Sequence, residues 1–124
     1  MQQLLAIAGG GALGAVLRFV VSSSVYRLLG RDFPYGTLVV NALGSLLMGL
    51  LYVLLVERMA VSTEWRSAIL VGLLGAFTTF STFSFETLAL FNAGAPIKAL
   101  VNIMVSVILC LLATWLGMTL GRQI

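Results

Sequence analysis

The sequence predicts an all-α integral membrane protein built from four transmembrane helices, and three observations lead there. Hydrophobic residues make up 60% of the 124 positions and charged ones 9%, with a mean hydropathy of +1.12. A soluble domain carries about a quarter charged residues and under half apolar. Four apolar stretches are each long enough, at about 1.5 Å per residue, to cross roughly 30 Å of hydrocarbon. The segments between them are too short to fold alone, so residues 1–124 are expected to form a single domain.

The first stretch runs from Leu4 to Leu28. Met1, Gln2 and Gln3 lead straight into apolar residues without the basic segment of a cleaved signal, so this span is read as retained. Gly9, Gly11 and Gly14 match the G-x-G-x-x-G nucleotide pattern, but that pattern needs a preceding strand and a βαβ unit. Inside a membrane helix the glycines serve packing instead, and Gly10 and Gly14 form a GxxxG spacing. The second stretch, Gly36 to Val56, follows a connector (Leu29–Tyr35) containing Pro34. Its Gly44, Ser45 and Gly49 permit close helix approach. The third, Trp65 to Phe91, follows Glu57–Glu64; the fourth, Ile97 to Leu120, follows Asn92–Pro96 with Gly94. Connectors this short make successive helices antiparallel neighbours and bring both termini to one end.

The charges add a prediction about assembly. Arg58, Arg66 and Arg122 fall at one end of the bundle, and Arg27, Arg31 and Lys98 at the other. Cytoplasmic loops normally carry the excess of Lys and Arg. A tally of three against three predicts weak orientation preference, hence insertion both ways up. Four helices are too few to enclose a polar path, and polar groups facing lipid are costly, so a homodimer is expected. Other classes drop out. The absence of histidine and the single Cys110 exclude a usual Cys/His metal site and an intrachain disulfide. Basic residues scattered singly give no stripe for nucleic acid.

Polar residues within the spans carry the functional signal. Arg18 lies inside the first span, where an unpaired charge costs at least ~2.5–3.5 kcal/mol. Glu86, toward the matching end of the third span, is its expected counter-ion or an acid at a pore mouth. Asn41 must bond another helix or something passing through. In the third span Gly72 and Gly75 precede Phe77-Thr78-Thr79-Phe80-Ser81-Thr82-Phe83-Ser84-Phe85-Glu86. Low helix propensity followed by β-branched residues marks a place for the helix to break. A break at membrane depth is tolerated only inside protein or along a polar cavity. Freed carbonyls suit a small cation such as Na+, while helix N-termini suit an anion. Phe80 and Phe83 share a face, and their positive ring edges, interleaved with the hydroxyls of Ser81, Thr82 and Ser84, can line an anion path. In the fourth span Asn102 and Ser106 share a face with Cys110, and Ser106 is a further donor to that path.

Three segments resemble the Fluc (CrcB) family of fluoride channels. They are Gly10 to Phe19, with Arg18; Gly36 to Ser45, with Asn41; and Gly75 to Ser84, the most specific of the three. The resemblance implies a multi-pass protein of the plasma or inner membrane, assembled as a dual-topology antiparallel homodimer with two fluoride pores. It implies a central Na+ held by backbone carbonyls of Gly75 and Thr78. It places Asn41, Phe80, Ser81, Thr82, Phe83 and Ser106 along the fluoride pathway, with Arg18 near the vestibule. Family members often carry tyrosine where this chain has Asn102, a departure in the polar track.

The leading expectation is therefore passive export of fluoride through a channel, not an enzyme, giving fluoride resistance. The alternative is a small dual-topology multidrug/proton exporter, whose chemistry wants an acidic residue at mid-membrane. The first two spans have none, and Glu86 lies near an end. A purely structural or lipid-organising subunit is the third class and predicts no flux.

Overall fold

The computed structural model describes all 124 residues as four helices. They are α1 (Gln2–Leu29), α2 (Tyr35–Arg58), α3 (Thr63–Asn92) and α4 (Pro96–Gln123), each long and apolar enough to cross a membrane. Each extends past the apolar stretch read from the sequence, because polar residues at the ends continue the helix out of the oil-compatible segment. Where they stop follows local chemistry. Gly30 and Gly94 take positive φ (82° and 81°), turning the chain after α1 and α3 at positions a side chain would strain. Pro96 opens α4 at its first position, where no amide partner is lost.

Glycine seams hold the bundle together. α1 lies along the first half of α3, and α2 along α4. A methyl group at Gly10 or Gly14 would overlap the carbonyls of Ala68 and Leu73 in α3. One at Gly49 would overlap the Thr114 carbonyl, and one at Gly117 that of Leu46. The GxxxG spacing and Gly49 thus serve contacts within the chain. With no water to expel between membrane helices, such backbone approach and the dispersion it brings supply the association.

Two stretches are wound more widely than an α-helix, with π-type turns: Val53–Arg58 at the end of α2 and Ser67–Leu74 in α3. Regular helix is the sequence expectation for both. The second lies under α1, where Gly72 itself meets the Ile7 carbonyl. Beyond it α3 is helical to Phe77, then extended at Thr78 (φ −81°, ψ 158°) and Thr79 (φ −152°, ψ 115°), then helical again from Phe80. Gly72 and Gly75 stay within helical turns. The β-branched pair after them leaves the helix, as χ1 crowding in a helix favours.

The six end charges separate as the connectivity requires. Arg58 Nη1 donates to the Gly121 carbonyl at 3.1 Å, and Arg122 pairs with Glu57 at 3.5 Å. Gln3 Nε2 donates to Ser67 Oγ at 2.9 Å, bringing the start of α1 to the same end. At the opposite end Lys98 Nζ donates to the Asp32 carbonyl at 3.3 Å, and the Arg31 guanidinium stands 4.5 Å over the Tyr26 ring. Only 19 of the 124 residues are buried within the chain. Apolar side chains such as Phe19, Leu111 and Trp115 therefore cover an outside suited to lipid or to another subunit.

Candidate functional site

The extended pair Thr78–Thr79 organises the polar residues. In an uninterrupted helix the Thr79 and Thr82 amides would donate to the carbonyls of Gly75 and Thr78, four residues back. Here the Thr79 N–H donates to Asn41 Oδ1 at 2.7 Å, and the Thr82 N–H to Thr79 Oγ1 at 3.2 Å. The second bond is an N-cap, which starts the helix afresh at Phe80. Both carbonyls are thereby released from the helix's own bonding. Asn41 also closes the other half of the peptide, Nδ2 donating to the Thr79 carbonyl at 2.9 Å. One side-chain amide from α2 thus satisfies a main-chain donor and a main-chain acceptor that the interruption would strand. Thr79 Oγ1 donates to Thr82 Oγ1 at 3.0 Å, and the Ser81 and Thr79 hydroxyls lie 3.2 Å apart.

On one side of Thr79 is an open crevice of about 400 Å³ between α2, α3 and α4. Asn41, Phe80, Phe83 and Ser106 of the expected pathway line it, together with Thr78 and Cys110. The Phe80 and Phe83 rings stand 5.4 Å apart, tilted by 43°. Phe80 is 77% exposed in the single chain, so nothing within the chain covers the outer wall. Gly44 backs this crevice, and a methyl group there would overlap the Thr78 side chain.

On the other side is a second crevice of about 270 Å³, walled by α1, α2 and α3. It contains Arg18, Ser22, Tyr26, Thr37, Thr82 and Glu86. Glu86 is not the ion-pair partner of Arg18. Its carboxylate accepts from the Tyr26 hydroxyl at 3.1 and 3.2 Å and from Thr37 Oγ1 at 3.0 Å. Arg18, Ser22 and Tyr26 follow one another at intervals of four along α1, so the tyrosine stands nearer that end. Arg18 makes no ion pair, and the only one in the chain is that between Arg122 and Glu57. Tyr26 and Thr37 are the residues the sequence reading missed. The stripe through Arg18 could have pointed to Tyr26, whereas Thr37 has no such signal.

The polar face of α4 is bonded into the bundle. Ser106 Oγ donates to Asn102 Oδ1 at 3.2 Å, and Asn102 Nδ2 donates to Thr87 Oγ1 at 2.9 Å. Thr87 Oγ1 in turn donates to the Phe83 carbonyl at 2.7 Å. Asn102, 2% exposed, ties α4 to the second half of α3 and faces neither crevice. Of the expected pathway residues, Asn41, Phe80, Phe83 and Ser106 share one crevice, Arg18 and Thr82 the other. Ser81 is exposed and lines neither.

Comparison with known proteins identifies the family. A family model described as "CrcB-like protein, Camphor Resistance (CrcB)" matches residues 5–118. A protein of Methylococcus capsulatus named "Fluoride-specific ion channel FluC" is 57% identical over 121 residues, covering 98% of this chain and 53% of the relative. The chain thus spans about half the length of that relative. Proteins of the same name from Hydrogenovibrio crunogenus and Magnetococcus marinus are each 54% identical. Those alignments cover 98% of this chain and 92% and 99% of the relatives, respectively. The chain belongs to the CrcB family, and its four apolar helices make it a multi-pass membrane protein.

Proposed function

We propose, from its place in the CrcB family, that this chain is a fluoride-selective ion channel, not an enzyme, working as a dual-topology antiparallel homodimer in the plasma or inner membrane. The observation that carries the reading is the pair of crevices sharing the Thr79 peptide as a wall. One offers a cation without an ion-pair partner, Arg18, to draw anions to its mouth. The other offers tilted phenyl rings whose edges carry positive charge. Neither fixes a counter-charge on the aromatic side, so an anion is stabilised without being trapped. Flow is passive, down the electrochemical gradient, and in a cell with a negative interior that means export. The even split of end charges supports opposed copies. The exposed Phe80 and the open outer wall of its crevice support a covering partner subunit.

The released carbonyls of Gly75 and Thr78 fit a small hard cation, since Na+ takes oxygen ligands and freed backbone carbonyls supply them. These two residues would hold a structural Na+ at the dimer centre, with a second set coming from the partner. When bound, Na+ supplies a fixed positive charge and fills the coordination of carbonyls that would otherwise be stranded. The chain's own part is done by Asn41 and Thr79, which keep the extended backbone from closing back into a helix.

Liposomes carrying the purified protein test the proposal. A channel gives fluoride efflux well above protein-free liposomes once a potassium ionophore relieves the charge, with chloride efflux far slower. Proton-driven uptake of a cationic drug without fluoride efflux would establish the exporter. No flux of either kind would leave a structural subunit.

A further inference from the structure

We propose that Asn41 is the positioning residue that creates the cation site, acting through the Thr79 backbone on the Gly75 carbonyl; the inference rests on the Na+ reading above. A carbonyl in a membrane helix is available to a cation only if the amide four residues on goes elsewhere. For Gly75 that amide belongs to Thr79, and Asn41 Oδ1 holds it at 2.7 Å. The same side chain's Nδ2 holds the Thr79 carbonyl at 2.9 Å, which fixes the plane of the peptide as well as its donor. Both hydrogen-bonding halves of the amide are thus committed to main chain. Thr78 does not compete for this role, since its hydroxyl donates to the Leu74 carbonyl at 3.0 Å.

The site is built by subtraction. Removing Asn41 leaves the Thr79 N–H needing a partner away from water, and the Gly75 carbonyl is the one that regular helix geometry offers. The helix would heal across the extended pair and consume the ligand. An aspartic acid at position 41, in its neutral form, still accepts from the Thr79 N–H and donates to the Thr79 carbonyl, which keeps Gly75 free. A leucine cannot. The two substitutions separate capture of the amide from simple occupancy of the crevice.

The test is equilibrium binding of radiolabelled Na+ to the purified protein in detergent, for the wild type, Asn41→Asp and Asn41→Leu, with helix content followed by circular dichroism. The wild type and Asn41→Asp are expected to bind within about threefold of each other, and Asn41→Leu about tenfold or more weakly, as loss of a committed buried hydrogen bond predicts. Equal Na+ affinity in the wild type and Asn41→Leu would overturn the positioning role while leaving the Na+ reading standing. No Na+ binding by the wild type would overturn that reading, and the proposal with it. Should Asn41→Leu fail to fold, solid-state NMR of the wild type labelled at Gly75 and Thr79 decides. A Gly75 carbonyl resonance that moves when Na+ replaces a bulky organic cation, with a Thr79 amide close to the Asn41 side chain, supports the proposal. A Gly75 carbonyl bonded to the Thr79 amide overturns it.

Discussion

The two crevices share one peptide and little else. The α1–α2–α3 crevice is charged, with Arg18 and Glu86 among its walls; the α2–α3–α4 crevice has no charged residue and is lined by Phe80, Phe83, Ser106 and Thr79. In the first the acid is already answered, by Tyr26 and Thr37, and the base is free. In the second the amide of Asn41 is spent on backbone and the Ser106 and Thr79 hydroxyl protons on Asn102 and Thr82, leaving the ring edges. On the proposed channel reading, the difference separates two tasks that a single charged pore would confuse. A fixed cation attracts anions at long range but would hold them if it lined the narrow part of the path. Weak, uncharged ring edges let them leave.

The largest expected effect breaks the aromatic side. Phe80→Ile and Phe83→Ile should each cut fluoride efflux by more than about tenfold, since ring-edge stabilisation of about 1.5 kcal/mol corresponds to that ratio. Size-exclusion chromatography should show the assembly unchanged, and normal rates in both variants would remove the rings from the path. Next in size is exhaustive removal of Na+. Efflux should fall about tenfold, as the stranded carbonyls of Gly75 and Thr78 lose their partner. Indifference to Na+ would leave those carbonyls without a ligand role. Arg18→Gln comes third. Steering by one half-buried cation is expected to contribute about fivefold at low salt and to vanish at high salt. Glu86→Gln is the smallest. A glutamine can still accept from Tyr26 and Thr37, so efflux should stay within about twofold; abolished transport would instead favour the proton-coupled exporter.

The fold was legible from hydropathy because lipid imposes a minimum apolar length, and all four spans lie where the apolar runs do. The glycine spacings marked close approach but not its partner. Gly10, Gly14 and Gly49 pack within the chain, and sequence spacing carries no information on which backbone they meet. The glycines and the Thr78–Thr79 pair after them marked the stretch where the backbone leaves the helix. Low propensity at Gly72 and Gly75 sets a prior, whereas the capture of the Thr79 amide by Asn41, 38 residues away, sets the position. Glu86 illustrates the same limit. Charge complementarity suggested Arg18, but the register of α1 against α3 delivers Tyr26, and α2 delivers Thr37. The sequence left Asn102 without a role, and it is a buried tie to Thr87. Composition and period reveal where polarity is placed; only helix register reveals what answers it.

Fluoride efflux from liposomes, compared at low and high ionic strength for the wild type, Arg18→Gln and Phe83→Ile, tests the central claim most directly. A steering cation beside an aromatic path predicts fluoride efflux from the wild type that slows as salt rises, a flattened salt dependence in Arg18→Gln, and in Phe83→Ile a low rate with the wild-type dependence on salt. Wild-type efflux no faster than that from protein-free liposomes would contradict it.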